Sequence, residues 1–133
     1  MKWFKRIGIA VLFLPFIFIS GMIVFEIFGM CVNHAATDRQ TKELQRDLED
    51  NIPDMKIIDV FSETGNLSGT GNHVECLSVI TFSTGLTEDE IAKAMSEHYD
   101  LNQESSFIEH KEDGCYTIYL ETSAPFPDNI EGH

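Results

Sequence analysis

Residues 7–25 read IGIAVLFLPFIFISGMIVF, nineteen consecutive residues without a charged side chain. At 1.5 Å per residue, a helix of this length measures about 28 Å, close to the hydrocarbon thickness of a bilayer. The stretch therefore predicts a transmembrane helix, which we place at residues 7–30. The remainder of the chain is then predicted to fold as a separate domain beside the membrane.

Basic residues flank the apolar stretch mainly on its N-terminal side. Lys2, Lys5 and Arg6 precede it, and the next cation after it is Arg39. Because positively charged flanks tend to remain in the cytoplasm, residues 1–6 are predicted to be cytoplasmic. The expected location is the cell membrane, with a single pass and with the C-terminal domain outside the cytoplasm.

A cleaved signal peptide is the alternative, and cleavage would release a secreted soluble factor. Signal peptides have a shorter apolar core, of about 7–15 residues, followed by two small residues around one spacer. The residues at the exit, Asn33/Ala35 and His34/Ala36, do not form such a pair. An uncleaved signal anchor is therefore the favoured interpretation.

Glu26 is the one acid in the longer apolar stretch that continues to Val32. Ionisable residues in a membrane segment are costly and are functional candidates by default. Two interpretations follow: Glu26 is an interfacial acid that reaches water, or it makes an intramembrane contact with a partner helix.

Residues 31–133 are strongly acidic, with six basic and twenty-one acidic residues and a formal net charge of −15. Such a domain repels phosphate backbones, so no nucleic-acid partner is expected. About one hundred residues suffice for one hydrophobic core and leave no room for a second domain.

Three cysteines follow the apolar stretch: Cys31, Cys76 and Cys115. Outside the cytoplasm a disulfide between Cys76 and Cys115 is one alternative. Two buried free thiols are the other.

Hydrophobic periodicity and turn residues divide the exported part into alternating helices and hairpins. A stalk and first helix occupy residues 31–53, with one face formed by Thr37, Thr41, Leu44, Leu48 and Ile52 at helical spacing. The core is predicted at residues 54–122, with strands at 55–64, 73–84, 106–111 and 115–122 and a second helix at 86–99. An exposed, flexible tail is predicted at residues 123–133.

The fold class that follows is α+β. An N-terminal transmembrane helix precedes a small helix–hairpin–helix–hairpin domain with a four-stranded antiparallel sheet. The clearest local signal is Thr87 with Glu90, the spacing of a capping box at the start of the second helix. The Asp113-Gly114 dipeptide predicts a tight turn in the second hairpin.

No residue pattern indicates a catalytic, cofactor or metal site. The histidines lack the i, i+4 spacing of a ligand pair. We therefore expect no cofactor and no enzymatic activity, and predict a membrane-anchored binding or assembly module that acts through a protein partner in the same envelope. The partner would bind the sheet face or a terminal strand edge. A membrane-tethered hydrolase or metal enzyme built around His73, His98 and His110 is the alternative.

Overall fold

One long helix and a five-stranded antiparallel sheet make up the α+β fold of this chain. The computed structural model describes residues 2–69, 71–112 and 114–133. The helices are α1 (Lys2–Asn51), α2 (Glu88–Met95) and a short C-terminal 3₁₀ helix, η1 (Ile130–Gly132). The strands are β1 (Lys56–Gly65), β2 (Glu75–Ser83), β3 (Asn102–Gln103), β4 (Ser106–Glu112) and β5 (Cys115–Ser123).

Helix α1 is continuous from the apolar stretch into the folded domain. Among the described residues, it is the one helix long and apolar enough to cross a membrane, with a mean hydropathy of 2.4 in its most apolar part and none of that part buried. Pro15 lies inside the helix without ending it. The predicted boundary at residue 30 falls within this helix, and the predicted domain limits stay a prediction.

The sheet has the strand order β1-β2-β5-β4-β3, and all pairs are antiparallel. Both predicted hairpins form, and the β2–β5 ladder joins them. The prediction of four strands is wrong by one, because β3 has two residues and is too short to leave a periodic signal. Asp113 of the predicted tight turn lies outside the described residues.

Both longer helices pack on the same face of the sheet. The stripe predicted on α1 is confirmed, since Thr37, Thr41, Leu44, Leu48 and Ile52 are all buried. The apolar part of this stripe joins a core formed with Ile80 and Phe82 of β2, Ile91 and Met95 of α2, Leu101, and Tyr116, Ile118 and Leu120 of β5.

The capping box at the start of α2 is also confirmed. The Thr87 hydroxyl accepts a hydrogen bond from the Glu90 amide, and the Thr87 amide donates to the Glu90 carboxylate at 2.8 Å. The two groups satisfy backbone donors that the first helical turn leaves unpaired. Acidic residues 88–90 also lie at the positive end of the helix dipole.

The part of the α1–sheet contact that lies nearer to the apolar stretch is polar. The Gln40 amide donates to the carbonyl oxygens of Cys76 and Leu120 at 3.1 Å. Thr41 and Ser78 share a buried hydrogen bond of 2.7 Å between their hydroxyl groups. Hydrogen bonds have directional geometry, so this seam fixes the rotation of α1 against the sheet more narrowly than apolar packing would.

Candidate functional site

The sheet surface opposite the two helices forms the first candidate site. Side chains on a strand alternate between the two faces. In β2 the helix-side residues Ile80 and Phe82 are fully buried, whereas Leu77 and Val79 on the other side are half-buried. Among the residues that the structure describes, the side of β2 that faces away from the helices is therefore not covered by another element. We call this uncovered surface the open face.

Four side chains form a continuous apolar row across the open face. Phe61 of β1 pairs with Val79 of β2, Val79 pairs with Tyr119 of β5, and Tyr119 pairs with Phe107 of β4. The rings of Phe107 and Tyr119 are stacked, with centroids 4.6 Å apart. Phe61 is 48% exposed and Phe107 is 38% exposed, so both ends of the row are accessible to a ligand.

Acidic side chains border this row on both sides. Asp59 and Glu109 lie in the next row of the ladder on one side, and Glu63 and Glu121 on the other. The Lys111 ammonium donates to the Glu109 carboxylate at 2.6 Å. The open face is thus an apolar strip between two acidic margins, and Lys111 is paired with one of the acids at its edge.

Two carboxyl groups of these margins have shifted pKa values. The hydrogen bond from Lys111, followed by that from the Tyr119 hydroxyl, lowers the pKa of Glu109. Burial raises the pKa of Glu121, and repulsion from the Glu75 carboxylate raises it further. A cation placed beside Glu121 would offset that repulsion, so the face is electrostatically suited to a basic ligand.

The outer edge of β1 is the other predicted docking surface. It carries Ile58, which is 57% exposed. However, the register of β1 shifts between Ile57 and Asp59, which places Ile58 in a bulge. Bulges bend an edge strand away from regular pairing, so this end of β1 is a poor template for an added strand.

Glu26 contacts the C-terminal segment of its own chain. Its carboxylate accepts hydrogen bonds from the Asn129 amide at 2.9 Å and from the Ile130 backbone N–H at 3.0 Å. The Glu26 carbonyl accepts a further bond from the Asn129 amide at 2.9 Å. We call residues 124–133 the C-terminal clasp. The contact with a partner helix proposed for Glu26 stays a prediction.

The clasp also packs along the part of α1 from Phe25 to Asn33. The Phe126 ring packs edge-on against Phe25 and Phe28, with centroids 5.8 Å and 5.9 Å away. The buried Asn33 side chain exchanges two hydrogen bonds with the Phe126 backbone. The prediction of an exposed tail is wrong, because Ala124, Asn129 and Gly132 of the clasp are buried.

Cys76 and Cys115 are not brought together. Cys76 pairs with Thr122 and Cys115 with Ser83 in the β2–β5 ladder, so they lie about 23 Å apart at 3.3 Å per residue. A disulfide needs Cα atoms within about 7 Å, so of the two alternatives the disulfide between Cys76 and Cys115 of one chain is wrong. All three cysteines are free, with Cys76 buried and Cys31 exposed.

The three candidate histidines do not form one site. His110 pairs with Tyr116 at one end of the sheet, while His73 precedes β2 at the other, about 30 Å away along the strand. His98 is exposed beyond α2. The residues described contain no group of three or more metal-ligating side chains. The absence of enzymatic activity stays a prediction.

One serine–histidine pair was not predicted. The Ser123 hydroxyl and His73 Nε2 lie 3.0 Å apart on the surface. The nearby Glu75 carboxylate instead accepts hydrogen bonds from the backbone of Leu67 and Ser68. A nucleophilic serine needs its histidine oriented by a third group. Glu75 does not orient His73, because its carboxylate binds the backbone of Leu67 and Ser68.

Comparison with protein-family models, curated proteins and solved structures finds no match for this chain. The open face and the clasp therefore stand on their geometry alone.

Proposed function

We propose that this chain is a single-pass, membrane-anchored binding module whose open face binds a protein partner in the same envelope. The observation that carries the proposal is the apolar row Phe61–Val79–Tyr119–Phe107, which is exposed at both ends and lies between acidic margins. Aromatic side chains that are already ordered supply contact area at low entropic cost.

Charge defines the chemistry of the partner. The four acids of the margins favour a surface that carries lysine or arginine around an apolar or aromatic anchor. The anchor would cover the central row, while the cations would meet Asp59 and Glu109 on one side and Glu63 and Glu121 on the other. Association should weaken with salt, because margin charges act mainly at long range.

The apolar stretch of α1 supports a location of this chain at the membrane. Its lipid-sized length and the exposure of residues 11–25 support an anchor that remains attached to the domain. The clasp adds support, because its bonds to Glu26 would be lost if cleavage after Glu26 removed the N-terminal segment. Retention of the intact N-terminus in carbonate-washed membranes tests this part, and recovery of a shortened soluble chain would contradict it.

Site-specific photo-crosslinking tests the open face. A photoreactive amino acid replaces Phe107 in the full chain in its own membranes, and the matched control replaces Arg46, which is exposed on the other side of the domain. We expect one discrete protein adduct from position 107 and none from position 46. Phe61→Ser should reduce the yield of this adduct about 30-fold, the loss typical of an aromatic residue that dominates an interface, whereas Ile58→Ser should not.

Three results would contradict the proposal: no adduct from position 107, the same adduct from position 46, or equal loss in Phe61→Ser and Ile58→Ser. The last result would place the partner on the β1 edge. Glu63→Lys supplies an independent check, because a basic partner should bind this variant less well at low salt.

A further inference from the structure

We propose that the C-terminal clasp is a membrane-contact surface that rests against phospholipid acyl chains at the outer boundary of the bilayer. The inference rests on the membrane anchoring proposed above but not on the protein partner. It concerns the face of the domain next to the lipid, whereas the open face is formed by the strands.

The depth of Glu26 follows from helix geometry. The apolar stretch at residues 7–25 is centred on Phe16, and Glu26 lies ten residues further along α1. Ten residues span about 15 Å, which is half the thickness of the hydrocarbon layer. Glu26 is therefore expected at the hydrocarbon boundary, and its hydrogen bonds hold Asn129 and Ile130 at the same level.

Apolar side chains of the clasp continue the lipid-facing surface of α1. Ile130 is 57% exposed, and it lines an open groove of about 580 Å³. The other walls of the groove come mainly from α1, including Ile19, Met22, Ile23 and Ile27. Ile19 lies about 10 Å closer to the bilayer centre than Glu26. The groove thus extends from the hydrocarbon layer to the clasp, and lipid chains are its expected occupant.

The remaining clasp residues select the type of lipid. Asp128 is exposed, and Glu131 contacts His34 at 2.6 Å, so the clasp carries acids and no lysine or arginine. Anionic headgroups attract basic segments and repel acidic ones. The surface therefore fits a zwitterionic headgroup layer, with Phe126 and Ile130 as its apolar contacts.

Tryptophan fluorescence in lipid vesicles tests the contact. Trp3 is the single tryptophan of the chain and lies at the opposite end of the apolar stretch. The full chain is reconstituted into phosphatidylcholine vesicles whose acyl chains are brominated near the headgroup. One variant combines Trp3→Phe with Ile130→Trp, and the matched control combines Trp3→Phe with Phe107→Trp. Ile130 and Phe107 are both exposed, so each new indole is accessible from outside the domain.

We expect bromine to quench the Ile130→Trp variant to an extent comparable with wild type and to leave the Phe107→Trp variant unquenched. Quenching of wild type without quenching of the Ile130→Trp variant would overturn the clasp contact and leave the anchor standing. Absence of quenching in wild type would overturn the anchor itself. Equal quenching of the two variants would show that the domain lies flat on the lipid, which also contradicts a contact confined to the clasp.

Discussion

Gly29→Ala should release the C-terminal clasp from α1. A Cβ atom at Gly29 would lie 2.7 Å from the Asn129 side-chain nitrogen, closer than real Cβ contacts allow. That nitrogen donates both to the Glu26 carbonyl and to the Glu26 carboxylate. It can move away from the new methyl group only by giving up these bonds.

The expected loss in the free energy of clasp docking follows from these contacts. A neutral hydrogen bond contributes about 0.5–1.5 kcal/mol and one to a charged group about 1.5–3 kcal/mol. The higher helix propensity of alanine does not change this loss, because residue 29 lies inside α1 and is helical whether the clasp is docked or released. Docking of the clasp should therefore weaken by about 2–4.5 kcal/mol, which corresponds to an opening equilibrium about 30- to 2,000-fold larger.

Hydrogen exchange of the full chain in lipid nanodiscs measures this opening. The Ile130 amide donates to Glu26 and reports local release of the clasp, and the buried strand β2 provides the reference. Gly21→Ala is the matched control, because its Cβ would have nothing within 4 Å. Unchanged exchange at Ile130 in Gly29→Ala, or the same acceleration in Gly21→Ala, would refute the reasoning.

Three further substitutions probe the cap, a buried acid and the core. Thr87→Ala should lower the free energy of unfolding by about 1 kcal/mol in urea titrations, whereas Thr87→Ser should keep most of the cap. Burial raises the pKa of Glu75, but hydrogen bonds from Ser68 and Leu67 outweigh it and lower the pKa overall. Its carboxylate thus stabilises the fold above about pH 4.3, and this contribution is lost as the pH falls through the lowered pKa. On acidification, the Glu75→Gln variant should therefore lose less stability than wild type. Leu48→Ala, at a fully buried site, should cost about 2–5 kcal/mol by thermal or urea unfolding, and an equal effect of Ile58→Ala at its exposed site would contradict the assigned core.

Elements with a local cause could be predicted from the sequence. The start of α2 depends on Thr87 and Glu90, which are three residues apart, so both partners of the cap are visible in one stretch. The buried stripe of α1 is likewise visible because its residues recur at helical spacing. The strand β3 could not be predicted, since two residues cannot establish an alternation.

The clasp was missed because its partners are far away in the chain. Glu26 and Asn129 are separated by 103 residues, and the proline-rich segment between residues 124 and 128 is typical of an exposed tail. The sequence nevertheless contains a pattern that indicates this contact. Gly29 and Asn33 continue the Thr37–Thr41 stripe at four-residue spacing, so small and polar residues mark a packed helix face beyond the part that was predicted.

The open face depends on a strand pairing that no turn determines. A hairpin fixes its own register through its loop, but β2 and β5 are 31 residues apart and meet through the packing of the core. A shift of one residue would turn Tyr119 into the core and expose Leu120 instead. The alignment of Phe61, Val79, Tyr119 and Phe107 therefore follows from the burial of the opposite face. It could not be predicted from the sequence alone.

The change in chemistry along α1 couples the two candidate surfaces. Far from the apolar stretch, Leu44 and Leu48 pack without directional bonds, whereas Asn33 and Gln40 nearer to it form hydrogen bonds that define one rotation of the helix. On the membrane anchoring proposed above, with that rotation fixed and the clasp bound to Glu26, the domain should stand in one orientation. Its open face then points sideways from α1, along the membrane surface. A partner reaching this face would approach from beside the anchor, as the domain of another membrane protein does, and this geometry favours a partner in the same envelope over one arriving from solution.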